Sequence, residues 1–221
     1  MSKSNTSALF SSVYEELEVI ENLDIDSIAS QIMSIGFECI RCGKCCRGSF
    51  GDNSVLLNSE DMTLLEKQSL KDGFVIPMID LSDKEQWQLV DKNGILHTFG
   101  WMLKRTPDMD CIFLNNNSEC QIYDHRPYLC RTYPFFLNNG KLEVCECEGL
   151  GKFISLEAAR NLAVHVVHRK VVELMDTIKI YEKFLESGVV LEERLSSDIC
   201  KASRIIVYDT KGTSEFDLSR L

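Results

Sequence analysis

Hydrophobic and polar positions alternate with a period near three to four residues toward both ends of this chain and near two in its middle. Val13, Leu17 and Ile20 form a stripe with acidic residues opposite, predicting a helix from Ser11 or Ser12, while residues 1–9 read as disordered. Asp26 or Ser27 can cap a second helix carrying Ile28, Ile32 and Ile35, which Gly36 would end. Residues 54–57 suit a short strand. Asn58-Ser59-Glu60-Asp61 then starts a helix through Met62, Leu64 and Leu65 that stops at Lys71-Asp72-Gly73.

The middle is a series of hairpin signals. Residues 87–90 and 95–99 flank Asp91-Lys92-Asn93-Gly94, whose Asn-Gly pair is a strong turn former, and Phe99-Gly100-Trp101-Met102-Leu103 continues extended. Residues 111–114 and 120–123 enclose Asn115-Asn116-Asn117, and residues 135–137 and 142–145 enclose Asn138-Asn139-Gly140. Between these two hairpins Asp124 can cap a short turn of helix with Pro127 in its first turn. From Ser155 the helical period returns through Ala159, Leu162, Ala163, Val166, Val167, Leu174, Met175, Ile178, Tyr181 and Leu185 up to Gly188. So long a span invites a break near Arg169-Lys170. Residues 191–202 then read as helix, 204–208 as a strand and Asp209-Thr210-Lys211-Gly212 as a turn.

A length of 221 residues is enough to bury a core. No apolar run reaches the length of a membrane span, and the N-terminus lacks a hydrophobic signal segment, so no membrane association and a cytoplasmic protein are expected. A net charge of −10 opposes nonspecific nucleic-acid binding. The distribution changes the picture more. Residues 1–36 carry one Lys and six acids, whereas 39–48 carry Arg41, Lys44 and Arg47 and no acid.

Those cations lie in the most distinctive stretch, Phe37-Glu38-Cys39-Ile40-Arg41-Cys42-Gly43-Lys44-Cys45-Cys46-Arg47-Gly48. Cys39, Cys42 and Cys45 repeat every third residue and Cys46 follows directly. CxxC steps turn thiolates toward one metal site, and three such steps also open the bacterial ferredoxin run. Gly43 and Gly48 suit a backbone folding tightly, with positive φ where required. Of ten cysteines, nine fall between Cys39 and Cys147, and in a reducing compartment such clustering favours metal thiolates over disulfides. Cys111, Cys120 and Cys130 are the next candidate ligands, followed by Cys145 and Cys147 of a CxC pair. Cys200 stands apart and reads as structural. His165 and His168, three residues apart on the long helix, lack a carboxylate at matching spacing and also read as structural.

A second block, Cys120-Gln121-Ile122-Tyr123-Asp124-His125-Arg126-Pro127-Tyr128-Leu129-Cys130-Arg131-Thr132-Tyr133-Pro134, completes a pattern. A CxxCGxCC block followed by C-x-I-Y-x-x-R-P-x-x-C-R-x-Y-P resembles the zinc- or iron-chelating cysteine-cluster family of YkgJ-like proteins, relatives of the flagellin lysine N-methylases. The resemblance runs over residues 37–134. It implies metal chelation, with Arg126 and Arg131 at the family's R-P and C-R positions expected to hydrogen-bond carbonyls or cluster sulfurs around the cofactor.

The metal follows from ligand pattern. Zinc prefers four ligands in a closed tetrahedron, often as two distant CxxC pairs. Here one block alone offers four thiolates, two of them adjacent, and further cysteines lie far away, which favours an iron–sulfur cluster of the 4Fe-4S type, with zinc as the alternative. No P-loop, dinucleotide glycine motif, GxSxG or HExxH is present. Three functions remain. One is a cluster protein for electron transfer, metal handling or assembly. Another is a lysine N-methylase-like enzyme acting with S-adenosylmethionine. The third is a zinc-stabilised interaction module with a protein partner. The predicted architecture is α+β, with small metal-tied hairpins and loops (37–150) between an N-terminal helical extension (1–36) and a C-terminal helical part (151–221) packed on it as one domain.

Overall fold

A computed structural model describes residues 3–79, 89–189 and 204–217. The fold is α+β, with helices, several small sheets and one long C-terminal helix. Helix α1 spans Lys3–Glu21 and α2 spans Ile25–Ile35. The first thus begins well before the expected Ser11, inside the stretch read as disordered. The cap of α2 is Asp24, whose side chain accepts from the Asp26 N–H at 3.0 Å, two residues ahead of the predicted position. Gly36 ends it with φ of 74° and an N–H bond to Ile32 O.

Strand β1 (Leu56–Leu57) leads into α3 (Ser59–Lys67) through a reciprocal capping box between Asn58 and Asp61. The helix stops at Lys67, earlier than Lys71, and β2 (Val75–Pro77) follows. Next come β3 (Ile95–Phe99) and β4 (Trp101–Leu103), separated by Gly100 at φ of 95°. That kink sends one extended run into two sheets. Strand β4 is the centre of an antiparallel β1-β4-β2 sheet, while β3 pairs in parallel with β7 (Arg204–Tyr208), which pairs antiparallel with β8 (Thr213–Asp217). The Asn93-Gly94 turn forms, with Val90 bridging Leu96; residues 87–88 of its predicted first strand lie outside the described residues, as does the predicted 191–202 helix.

Helix α4 (Tyr128–Thr132) is preceded by Pro127, and Asp124 lies instead in a 3-10 turn, Tyr123–His125. The hairpin β5 (Phe135–Asn138) and β6 (Lys141–Val144) forms as its turn residues predict. Finally α5 runs unbroken over Leu156–Glu186, capped by Ser155. Its 31 residues, about 46 Å at 1.5 Å per residue, contain no Gly or Pro. At the expected break, Arg169 pairs with Glu173 at 3.2 Å and Lys170 with Glu16 of α1 at 2.9 Å.

Helix α5 serves two separate cores. Its first half packs Ala159, Ala163 and Val166 against Ile20 of α1, Ile28 and Ile32 of α2, and Phe135 and Leu137 of β5. Its last turns bring Phe184 edge-on to Phe99 and Tyr208, 5.1 and 5.2 Å between ring centres. Beside them the second core collects Leu57, Met62, Leu65, Leu96, Trp101, Leu103, Phe113, Ile122, Ile205 and Val207. No helix among the described residues is long and apolar enough to cross a membrane.

Candidate metal centre

Gly36 releases the chain from α2 into the cysteine block, and the segment around Gly149 receives it. The Glu38 N–H bonds Gly149 O at 3.0 Å, the Gly151 N–H bonds Gly36 O at 3.0 Å, and Phe37 bridges Leu150. This contact is so close that a Cβ on Gly149 would strike the Glu38 carbonyl oxygen. Further on, Gly43 takes φ of 72°, and a Cβ there would lie 2.7 Å from Ser118 O. It starts a 3-10 turn, Lys44–Cys46. Gly48, by contrast, is not left-handed; Met109 packs on its Cα.

The other thiols arrive on short, polar-pinned segments. The Cys111 N–H bonds Cys46 O at 2.7 Å, Leu114 bridges Cys120, and Asn115 Oδ1 accepts from the N–H groups of Asn117 and Glu119, each at 2.9 Å. The 111–123 segment is therefore a bridge and turns rather than the predicted hairpin ladder. Cys130 rides on α4. That five-residue helix is held from both sides: Asp61 of α3 accepts its Tyr128 N–H at 2.8 Å, and Arg169 of α5 donates to its Thr132 Oγ1 at 2.6 Å.

These segments surround one cavity of about 870 Å³, lined by Cys39, Cys42, Cys45, Cys46, Cys111, Cys120, Cys130 and Cys147. Thus eight of the nine cysteines among the described residues meet there. Cys145 is exposed and does not line the cavity; its N–H bonds Pro134 O at 2.9 Å, continuing the hairpin edge. Cys200 lies outside the described residues.

The thiols differ in their hold on a proton. Cys46 Sγ stands 3.9 Å from Cys45 Sγ and also hydrogen-bonds Cys111. Serving those two sulfurs, Cys46 is pushed up and keeps its proton, while Cys45 and Cys111, each stabilised as thiolate by that bond, fall to about 7. Burial raises Cys130, Cys120 and Cys147. Soft sulfur dominates the donor set, which suits thiophilic metals. Among the described residues no three His, Cys, Asp or Glu side chains converge to hold a single ion.

Positive charge is distributed unlike its order in sequence. Lys44 pairs with Glu148, and Arg47 reaches Asp110 at 3.8 Å and Ser118 Oγ at 2.6 Å. Arg41 and Arg126 both stack on the Tyr123 ring, 4.0 and 3.6 Å from its centre. Arg126 also donates to the carbonyls of Tyr123 at 2.9 Å and Cys130 at 3.5 Å. Arg131 lies over the Tyr128 ring and 4.0 Å from Asp61. His168 is engaged with Glu60 at 3.0 Å, and the His165 ring centre lies 6.3 Å from that of Tyr128.

Three supports escape the sequence reading. Asp61 was legible as a helix start, but not the second use of its carboxylate, 2% exposed, on the helix of Cys130. Nothing in a one-residue motif marks Gly149 or Glu148, which matter only because another segment lies against them.

A family model, CxxCxxCC, described as "Putative zinc- or iron-chelating domain", matches residues 38–148. No curated protein and no solved structure matches the chain.

Proposed function

The chain belongs to the CxxCxxCC family of zinc- or iron-chelating domains, and from that premise we propose that its cavity holds iron–sulfur chemistry for electron transfer, metal handling or assembly. One observation carries the choice of metal. A tetrahedral zinc draws four sulfurs to about 2.3 Å from itself, hence to within about 4 Å of one another. Here eight thiols line one cavity of about 870 Å³, twice the four that one tetrahedral zinc takes. A surplus of thiols around one cavity suits a cofactor that brings several irons and its own sulfides, because each thiolate then binds a different iron.

When bound, such a cofactor supplies one-electron redox chemistry at a potential set by charge, hydrogen bonds and solvent. The protein's part is to orient and shield. Asp61, Arg169 and Arg126 fix the helix of Cys130, the Gly149 segment fixes Cys39, and the guanidinium of Arg126 offsets thiolate charge near Cys45.

Protein purified without oxygen tests this reading. It should be brown, contain iron and acid-labile sulfide, and bleach with dithionite. Colourless protein loaded with zinc and free of sulfide would overturn the cluster and leave a zinc-stabilised interaction module.

A further inference from the structure

Eight thiols are twice what one four-ligand centre uses, and the backbone divides them into two groups. The first group hangs on the helical core. Residues 37–39 are laced to 149–151 by the Glu38–Gly149 bond and the Phe37–Leu150 bridge, and both Phe37 and Leu150 pack against the cluster of α1, α2 and α5. Lys44 and Glu148 close the same edge. Cys39, Cys42 and Cys147 belong to it. The second group hangs on the sheet core. Cys111, Cys120 and Cys130 all pack against the cluster of β1 to β4 and β7. Cys46 joins them through its carbonyl, which accepts the Cys111 N–H at 2.7 Å. Cys45 stands where the two groups meet, its sulfur 3.9 Å from that of Cys46.

We infer that the cavity holds two metal centres side by side, one on Cys39, Cys42, Cys45 and Cys147 and one on Cys46, Cys111, Cys120 and Cys130. This rests on the reading that the cavity cysteines bind metal. The adjacent pair Cys45-Cys46 is the seam, where the two groups meet with sulfurs 3.9 Å apart. The arrangement also gives each centre its own rigid support, so that one can empty while the other stays built.

The test is metal and sulfide content per chain in anaerobically purified full-length protein, wild type against Cys39→Ser, Cys130→Ser and the double variant. Each single variant should retain about half the wild-type metal and the double variant essentially none, because four thiolates serve each centre. Complete loss in either single variant, or no loss in one of them, overturns the two-centre assignment. Should a variant fail to fold, as read from hydrogen exchange of α5, native mass spectrometry of wild-type protein under stepwise chelation gives the same decision. A half-loaded species supports two centres, and a direct passage from full to empty overturns them. Wild-type protein that carries no metal, and takes up neither zinc nor iron with sulfide, would instead defeat the underlying metal reading.

Discussion

Ile20, Ile32, Ala159, Ala163 and Val166, which join α1 and α2 to α5, are each 0% exposed, whereas none of the nine described cysteines is fully buried. The helical region is held by apolar contact along continuous helices, whose backbone groups satisfy one another. The cradle of 37–54, 104–134 and 145–150 has almost no such ladder. It relies on single turns, isolated bridges and hydrogen bonds that cross between segments, such as Cys111 to Cys46 and Glu38 to Gly149. Apolar burial gives a stable shape without a cofactor. Loops that turn sulfur toward a cavity give binding chemistry, and their own stability then depends on what fills it.

Stripping the metal tests this contrast most severely. Hydrogen exchange should accelerate throughout 37–54, 104–134 and 145–150 while α2, β5 and the first half of α5 stay protected, since the small loops lack core enough to hold alone. Equal protection of the cradle in both states would break the comparison. The reverse perturbation is Ile32→Ala. It should lower global stability by about 2–5 kcal/mol through a cavity in the helical core, measured by denaturant unfolding, yet leave metal per folded chain unchanged.

Asp61 sharpens the comparison because it joins the sheet core to the cradle. Burial raises its carboxyl to about 6, against the lowering pull of the Tyr128 and Asn58 N–H groups. The folded state therefore binds this proton more tightly than the unfolded chain. Its cost to stability is fully present above pH 6 and fades as pH falls toward the ordinary carboxylate value. Asp61→Asn removes the ionisation. Between pH 7 and 4 the wild type should therefore gain on the variant by on the order of 2 kcal/mol, given the rise to about 6. A constant difference across that range would show that Asp61 carries no such burden. The smallest effect is expected at Cys145→Ser: outside the cavity, it should leave metal content at the wild-type level, while Cys147→Ser lowers it.

Much of this protein is legible in one dimension. The three-residue cysteine repeat, the second block around Cys130, the period of α5 and the Asn-Asn-Gly turn of β5-β6 are local signals, because each depends on groups a few residues apart. Their physical requirements, a chelate loop, a continuous apolar stripe and a left-handed turn, are written into consecutive positions. The parallel pairing of Ile95–Phe99 with Arg204–Tyr208 is not, since its partners are far apart in the chain and either strand could pair elsewhere. Nor is the parting of Cys145 from Cys147. A CxC pair in a strand would face one way, but β6 ends at Val144 and the chain turns to meet Phe37, so only Cys147 reaches the cavity. The sequence by itself determined the donor type and most of the secondary structure. Tertiary packing decided which sulfurs share a cavity, because that depends on where two separate hydrophobic cores set down the loops between them.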